Sequence, residues 1–147
     1  MEEANALAAY MAGITQILHS IHYFCALSHE AWILDSGASE HMSLDHTVLH
    51  DLCLLKLSIL VNLPNGSQVK VTQHGKLKVS KDLELNHVLL VPNFRFNLLS
   101  IKRLYEQLKC SVEFTEDLCL IQDRSLRRPL VIGRSNLGLY NLDKESV

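Results

Sequence analysis

Several things are missing from this 147-residue chain, and each omission narrows its reading. There is no C-x-x-C pair, and Cys25, Cys53, Cys110 and Cys119 fit no zinc-knuckle or zinc-finger spacing. Reduced, half-buried thiols in an intracellular, cytoplasmic protein are therefore expected, with no metal and no cofactor. A basic excess is also missing: the formal net charge is -2, which disfavours nucleic acid as a general partner. Only three prolines and six glycines punctuate the chain, and there is no repeat or low-complexity tract. With 48% hydrophobic and 20% charged residues, the composition is that of a globular domain with a single core.

Charge is also absent from residues 4–29, which contain no Asp, Glu, Lys or Arg. A signal peptide or membrane span is nevertheless not expected. The segment opens Met-Glu-Glu in place of a basic region, and Asn5, Gln16, His19 and His22 interrupt it. Leu7, Met11, Ile14, Leu18, Ile21 and Cys25 recur at three- and four-residue steps, so residues 1–30 are expected to form a helical extension or linker. Such a helix can pack on the domain, pair with another chain or belong to a longer parent, and the residues do not choose.

From Ala31 onward short apolar runs alternate with turn residues, as in a strand-rich domain over residues 31–142, with 143–147 as a tail. The first run, "WILD", ends at Asp35. Residues 48–55 (VLHDLCLL) read as a short helix or an irregular segment, followed by a run from Leu57 to Leu63. "LPNGS" at 63–67 is a hairpin turn, since Pro64 presets one dihedral while Asn65 and Gly66 tolerate positive φ. "QVKVTQHGKLKVS" supplies the second arm, breaking at Gly75, and "LELNHVLLVP" a further strand. Leu98, Ile101, Leu104 and Leu108 then take helical spacing, giving one late helix. "CSVEF", "LCLIQ", "PLVIG" and "LGLYNL" are short strands. Many strands with one late helix make a closed β-barrel the expected architecture, with a small sandwich as the alternative.

"WILDSGAS" is the stretch with chemical content. Three large apolar residues place Asp35 at the edge of the core, and Gly37 permits a tight turn whose N–H groups approach the carboxylate. Ser36 can donate a further hydrogen bond. An Asx-turn closing a strand is the structural alternative. Two facing carboxylates can share a proton, one acting as general base on water and the other as general acid toward a carbonyl. The chain has no second D-[ST]-G triplet; "QDRS" at 122–125 lacks the glycine. A dyad would therefore need Asp35 from each of two chains related by a two-fold axis.

In order along the chain, "WILDSGASEHM", "LPNGSQVKVTQHGKLKV", "HVLLVPNFRFNLLSIKRL", "CSVEF" and "LGLYNL" resemble the protease region of copia-type retrotransposon Pol polyproteins. The likeness runs from about Ala31 to Leu142. It implies a retropepsin-like β-barrel, an aspartic endopeptidase that works as a homodimer and cuts a polypeptide of the Gag-Pol type. Asp35 matches the catalytic aspartate. Ser36 takes the hydroxyl position that ties two active-site loops across the dimer, and Gly37, Ala38 and Ser39 complete the loop. Pro64, Asn65, Gly66 and Ser67 match the flap over a bound peptide, where exposed backbone and hinge freedom are needed. The resemblance assigns Leu98, Leu99 and Ser100 to the element behind the catalytic loop, with serine in place of glycine; "VIGR" at 131–134 is the rival assignment. No zinc knuckle, integrase, reverse transcriptase or RNase H segment is present, so one module is expected, either active or retained as a silent β-barrel.

Other groupings carry less. His41, His46 and His50 lie near Asp45 and Asp51, but Thr47 stands where H-E-x-x-H needs a glutamate, so surface or loop histidines are expected. Ser36 has no G-x-S-x-G context. Arg124, Arg127 and Arg128 form a short solvated turn before Pro129, and Phe94 and Phe96 are expected to pack.

Overall fold

A computed structural model of the chain describes residues 31–62, 66–79, 83–92, 94, 96–122, 129–136 and 139–142. The expected N-terminal helix, the tail at 143–147, Pro64 and Asn65 of the hairpin tip, and the Arg124–Arg128 turn lie outside the described residues. The elements are β1 (Trp32–Asp35), β2 (His41–Ser43), a 3-10 turn (His46–Val48), β3 (His50–Asn62), β4 (Gln68–Lys78), β5 (Glu84–Leu90), β6 (Asn97–Ser100), α1 (Ile101–Leu108), β7 (Ser111–Phe114), β8 (Leu118–Gln122), β9 (Leu130–Asn136) and β10 (Leu139–Leu142). The protein is mainly β with one α-helix among the described residues.

All ten strands join one sheet in the order β3-β4-β5-β2-β6-β1-β10-β9-β8-β7. The expected closed barrel is not what these strands form. Among the described residues β3 and β7 are edges, each with a single neighbour, and no backbone pairing joins them. Closure needs backbone pairing between the two edge strands, and β3 and β7 lie at opposite ends of the strand order without it. The 48–55 stretch is also not helical beyond the 3-10 turn. From His50 it is strand, paired antiparallel with β4 and running without interruption into the Leu57 segment through irregular register between Leu54 and Ile59. It pairs with β4 at His50, Cys53 and Leu54, and that pairing with a distant segment makes it strand.

Two sets of apolar side chains stabilise the centre. Trp32, Leu34, Leu99, Ile101, Leu104 and Ile132 belong to one cluster, whereas Ile33, Leu98, Met42, Leu89, Val61 and Val71 belong to the other. Successive residues of β1 and β6 thus go to opposite clusters, as the two-residue period of a strand requires. A strand covered on both faces needs an unbroken apolar run, and "WIL" and "LL" supply it. Leu98, which fits helical spacing with Ile101, Leu104 and Leu108, is in fact the second residue of β6; the helix starts at Ile101. Val61, Val71, Val69 and Ile59 anchor the β3–β4 hairpin in the cluster that holds Ile33 and Leu98.

Gly133 of β9 is needed for close approach. A Cβ there would lie 2.9 Å from the Asn141 carbonyl oxygen and would overlap the Leu34 side chain of β1. "VIGR" therefore packs against β1 and does not open the helix. Gly133→Ala is expected to cost roughly 1–3 kcal/mol through overpacking, read as a lower urea midpoint. An unchanged midpoint would contradict the close packing of β9 on β1.

Candidate active site

Strand β1 runs parallel to β6, with Trp32 opposite Asn97, Ile33 opposite Leu98, Leu34 opposite Leu99 and Asp35 opposite Ser100. Asp35 and Ser100 are therefore brought together at the point where both strands leave the core. Asp35 is 6% exposed and Ser100 is fully buried, whereas Ser36 and Gly37 are exposed, so the chain turns outward immediately after the carboxylate.

That turn is held by the carboxylate. The Gly37 N–H donates to Asp35 Oδ1 at 2.7 Å, as the glycine position implies. The further bond expected from the Ser36 hydroxyl is not formed; the nearby Ala38 N–H eases the carboxylate's burial instead. Asp35 Oδ2 is buried and accepts no hydrogen bond from any described residue. Burial pushes the Asp35 pKa up to about 6, and the Gly37 and Ala38 N–H groups only partly offset that cost. Asp35 thus retains its proton at a pH where an ordinary aspartate has lost it.

Ser100 supports the loop from behind. Its hydroxyl donates to the Ala38 carbonyl at 2.6 Å and accepts from the Arg103 N–H at 3.1 Å, so one side chain both fastens the Asp35 loop and caps α1. Glycine could do neither. Leu98 and Leu99 lie in β6, buried on opposite faces beside Ile33 and Leu34. Ala38 is buried and Ser39 half-buried. Gly66 has φ +83° and Ser67 is exposed, at the end of a hairpin closed by Asn62 opposite Gln68. The structure thus groups Asp35, Gly37, Ala38 and Ser100, and it places Gly66 and Ser67 on a separate hairpin.

Four further residues complete the surround and have only faint sequence signals. Asn97 accepts from the Ser43 hydroxyl and the Leu44 N–H, both at 3.1 Å, and donates to the Ala31 carbonyl at 3.2 Å, which ties the start of β1 to the end of β2. Its signal is a polar residue opening an otherwise apolar run. Glu40 is buried and takes both the Nε and an Nη of Arg103 in a forked pair, the Nε bond measuring 2.8 Å. His41 is fully buried, and its Nδ1 accepts the Ser100 N–H at 2.9 Å. Burial, with the charges of Arg103 and His87 adding to it, pushes the His41 pKa down to about 3. The other two histidines of that sequence group are peripheral: His46 is in the 3-10 turn, and His50 faces Glu84 at 3.1 Å on the surface. Phe94 and Phe96 pack edge to face at 6.2 Å.

Comparison with known proteins fits this span of the chain. A family model described as the Pol polyprotein, beta-barrel domain matches residues 32–109, which include both Asp35 and Ser100. The chain is 34% identical over 112 residues to a retrovirus-related Pol polyprotein from transposon RE2 of Arabidopsis thaliana. It is 32% identical over 114 residues to that from transposon RE1 of the same plant. The matches cover 74% of the chain but 8% of each relative.

Two outcomes follow from the electrostatics. Folding raises the affinity of Asp35 for a proton, so the native state binds more protons than the unfolded chain between about pH 4 and 6, and the Asp35 contribution to stability falls as pH rises through that window. Asp35→Asn is expected to be more stable than the parent by up to about 3 kcal/mol at pH 8, with the difference vanishing toward pH 4. Denaturant unfolding of both at several pH values checks this, and a pH-independent difference would contradict it. Removing one partner of the Glu40–Arg103 pair strands the other: Arg103→Met should cost about 3–5 kcal/mol, much of it recovered by adding Glu40→Gln. Additive losses in that double-mutant cycle would show that the pair is not coupled.

Proposed function

Because the chain belongs to the Pol polyprotein, beta-barrel domain family, we propose that it is the aspartic endopeptidase domain of a copia-type Gag-Pol polyprotein. In this reading two copies associate about a two-fold axis and each contributes Asp35. The observation that carries it is the buried Asp35 carboxyl, with one oxygen held by Gly37, the other without a hydrogen-bond partner among the described residues, and a proton affinity raised to about pH 6. A second carboxylate brought against Asp35 would share that proton, which requires association to open the buried Oδ2. The ionised member of the pair takes a proton from water as the water attacks the scissile carbonyl, and the protonated member donates to the carbonyl oxygen. The pair then titrates in two macroscopic steps, neither belonging to one residue.

The other assigned residues take supporting roles. Ser36, exposed beside the carboxylate, is available to the facing loop, and Ser39 lies toward the substrate edge with Ala38 buried behind it. The hairpin carrying Pro64, Asn65, Gly66 and Ser67 acts as the flap. Leu98, Leu99 and Ser100 hold the loop from behind. The substrate is an extended polypeptide, and no metal or cofactor is required. Free thiols at Cys53, Cys110 and Cys119 suit a reducing, intracellular compartment. No described helix is long and apolar enough to cross a membrane.

One observation favours a second reading. Leu54, Leu57 and Leu60 are exposed on edge strand β3, as in a catalytically silent module that binds another protein. The two readings separate on activity. Purified protein, at a concentration where sedimentation shows a dimer, should cleave Gag-type peptides at mildly acidic pH, with kcat/KM falling as rising pH removes the shared proton. Asp35→Asn should abolish the cleavage. Equal cleavage by parent and Asp35→Asn dimers, or none by a parent dimer, defeats the protease reading.

A further inference from the structure

The Asp35 loop depends on Ser100, and Ser100 depends on a residue outside the D-S-G triplet. Ser100 sits where β6 ends and α1 begins, and its backbone N–H is spent on neither the sheet nor the helix. That N–H donates to His41 Nδ1 at 2.9 Å, in a place where both residues are fully buried. The same serine donates its hydroxyl to the Ala38 carbonyl and accepts the Arg103 N–H, so three directions are fixed at one residue. Without the His41 acceptor, a buried donor would be stranded at the strand-to-helix junction, and Ser100 would be free to rotate its hydroxyl off Ala38.

We propose that His41 is a positioning residue for the Asp35 site: its imidazole holds the Ser100 N–H and, through Ser100, the loop that carries Asp35. The inference deepens the protease reading and rests on it for the consequence in catalysis. Two features set this histidine apart from a space-filling one. Acceptance at Nδ1 assigns the ring proton to Nε2, and Nε2 is buried with no hydrogen-bond partner among the described residues. An apolar side chain would avoid that cost, so packing alone does not account for the ring. The charged groups around it also suit the role. The Arg103 guanidinium, neutralised in part by Glu40, and His87 both disfavour an imidazolium, and burial does so more strongly. An ordinary histidine would protonate near pH 6.5 and lose its acceptor just where Asp35 titrates. Here the ring stays an acceptor down to about pH 3, so the support does not change while the catalytic carboxyl does.

Three measurements test this. In the parent, the NMR coupling across the Ser100 N–H···Nδ1 bond should persist from pH 7 to pH 4; its loss near the ordinary histidine pKa overturns the proposal. His41→Leu fills the volume without an acceptor, whereas His41→Asn places an oxygen near the Nδ1 position. The leucine variant should lose amide-exchange protection at Ser100 and lower the Asp35 titration midpoint by about one pH unit as water reaches the loosened loop, while the asparagine variant keeps both near the parent. On peptide substrate, His41→Leu should reduce kcat about tenfold or more with KM little changed, and His41→Asn should recover most of it. Equal behaviour of the two variants shows a packing role only and overturns the proposal. If His41→Leu does not fold, the parent coupling and the His41→Asn midpoint decide it. If the parent dimer cleaves no peptide, the protease reading falls on that ground, and the coupling and midpoint still decide the role of His41.

Discussion

The parallel pairing of β1 with β6 is the constraint on which the rest of the structure depends. It sets Asp35 opposite Ser100, and with that register fixed the other contacts follow. Sliding β6 by one residue against β1 would turn Leu98 and Leu99 to the opposite faces, out of their clusters, and would put Leu99 opposite the carboxylate in place of Ser100. Asn97 fixes the other end of the pair through Ala31, Ser43 and Leu44. One polar residue at each end and apolar residues between them determine both the depth and the direction of Asp35.

A buried carboxyl held in this way is a cost to the fold. Asp35 binds its proton more tightly in the native state, so ionising it weakens the structure, while His41 acts in the opposite sense: it is neutral when folded, and the unfolded chain takes up the proton that the native ring refuses. Between about pH 4 and 6 the two contributions oppose one another, since lowering the pH favours the fold through Asp35 and disfavours it through His41. The Glu40–Arg103 pair crosses from the end of the Asp35 loop to α1, and the Arg103 charge acts on His41.

How much of this was legible beforehand depended on the range of the interaction. The strands, the hairpin at "LPNGS" and the turn of Gly37 toward Asp35 come from local pattern and were readable. Barrel closure was not, because it is decided by whether two distant edges meet, and β3 and β7 do not pair. The 48–55 stretch was ambiguous because its strand character comes from β4, more than a dozen residues away. Leu98 was miscounted into the helix because β6 passes directly into α1 and apolar residues at a strand end mimic helical spacing. Ser100 was placed behind the Asp35 loop by family resemblance, yet why serine stands there was visible only from its bonds to Ala38 and Arg103. Glu40 and Arg103 left little local signal, and His41, expected on a surface or loop, proved fully buried, since a buried ion pair and a buried acceptor are defined by partners some sixty residues along the chain.

The central claim is that Asp35 is half of a site that two chains complete. Mixing the parent with Asp35→Asn subunits at fixed total concentration, under conditions where dimers exchange, tests it most directly. If each active dimer needs two aspartates, peptide cleavage follows the square of the parent fraction and drops to about one quarter at equal mixing. A linear decline, to about one half at equal mixing, would mean that one chain suffices and would contradict the account.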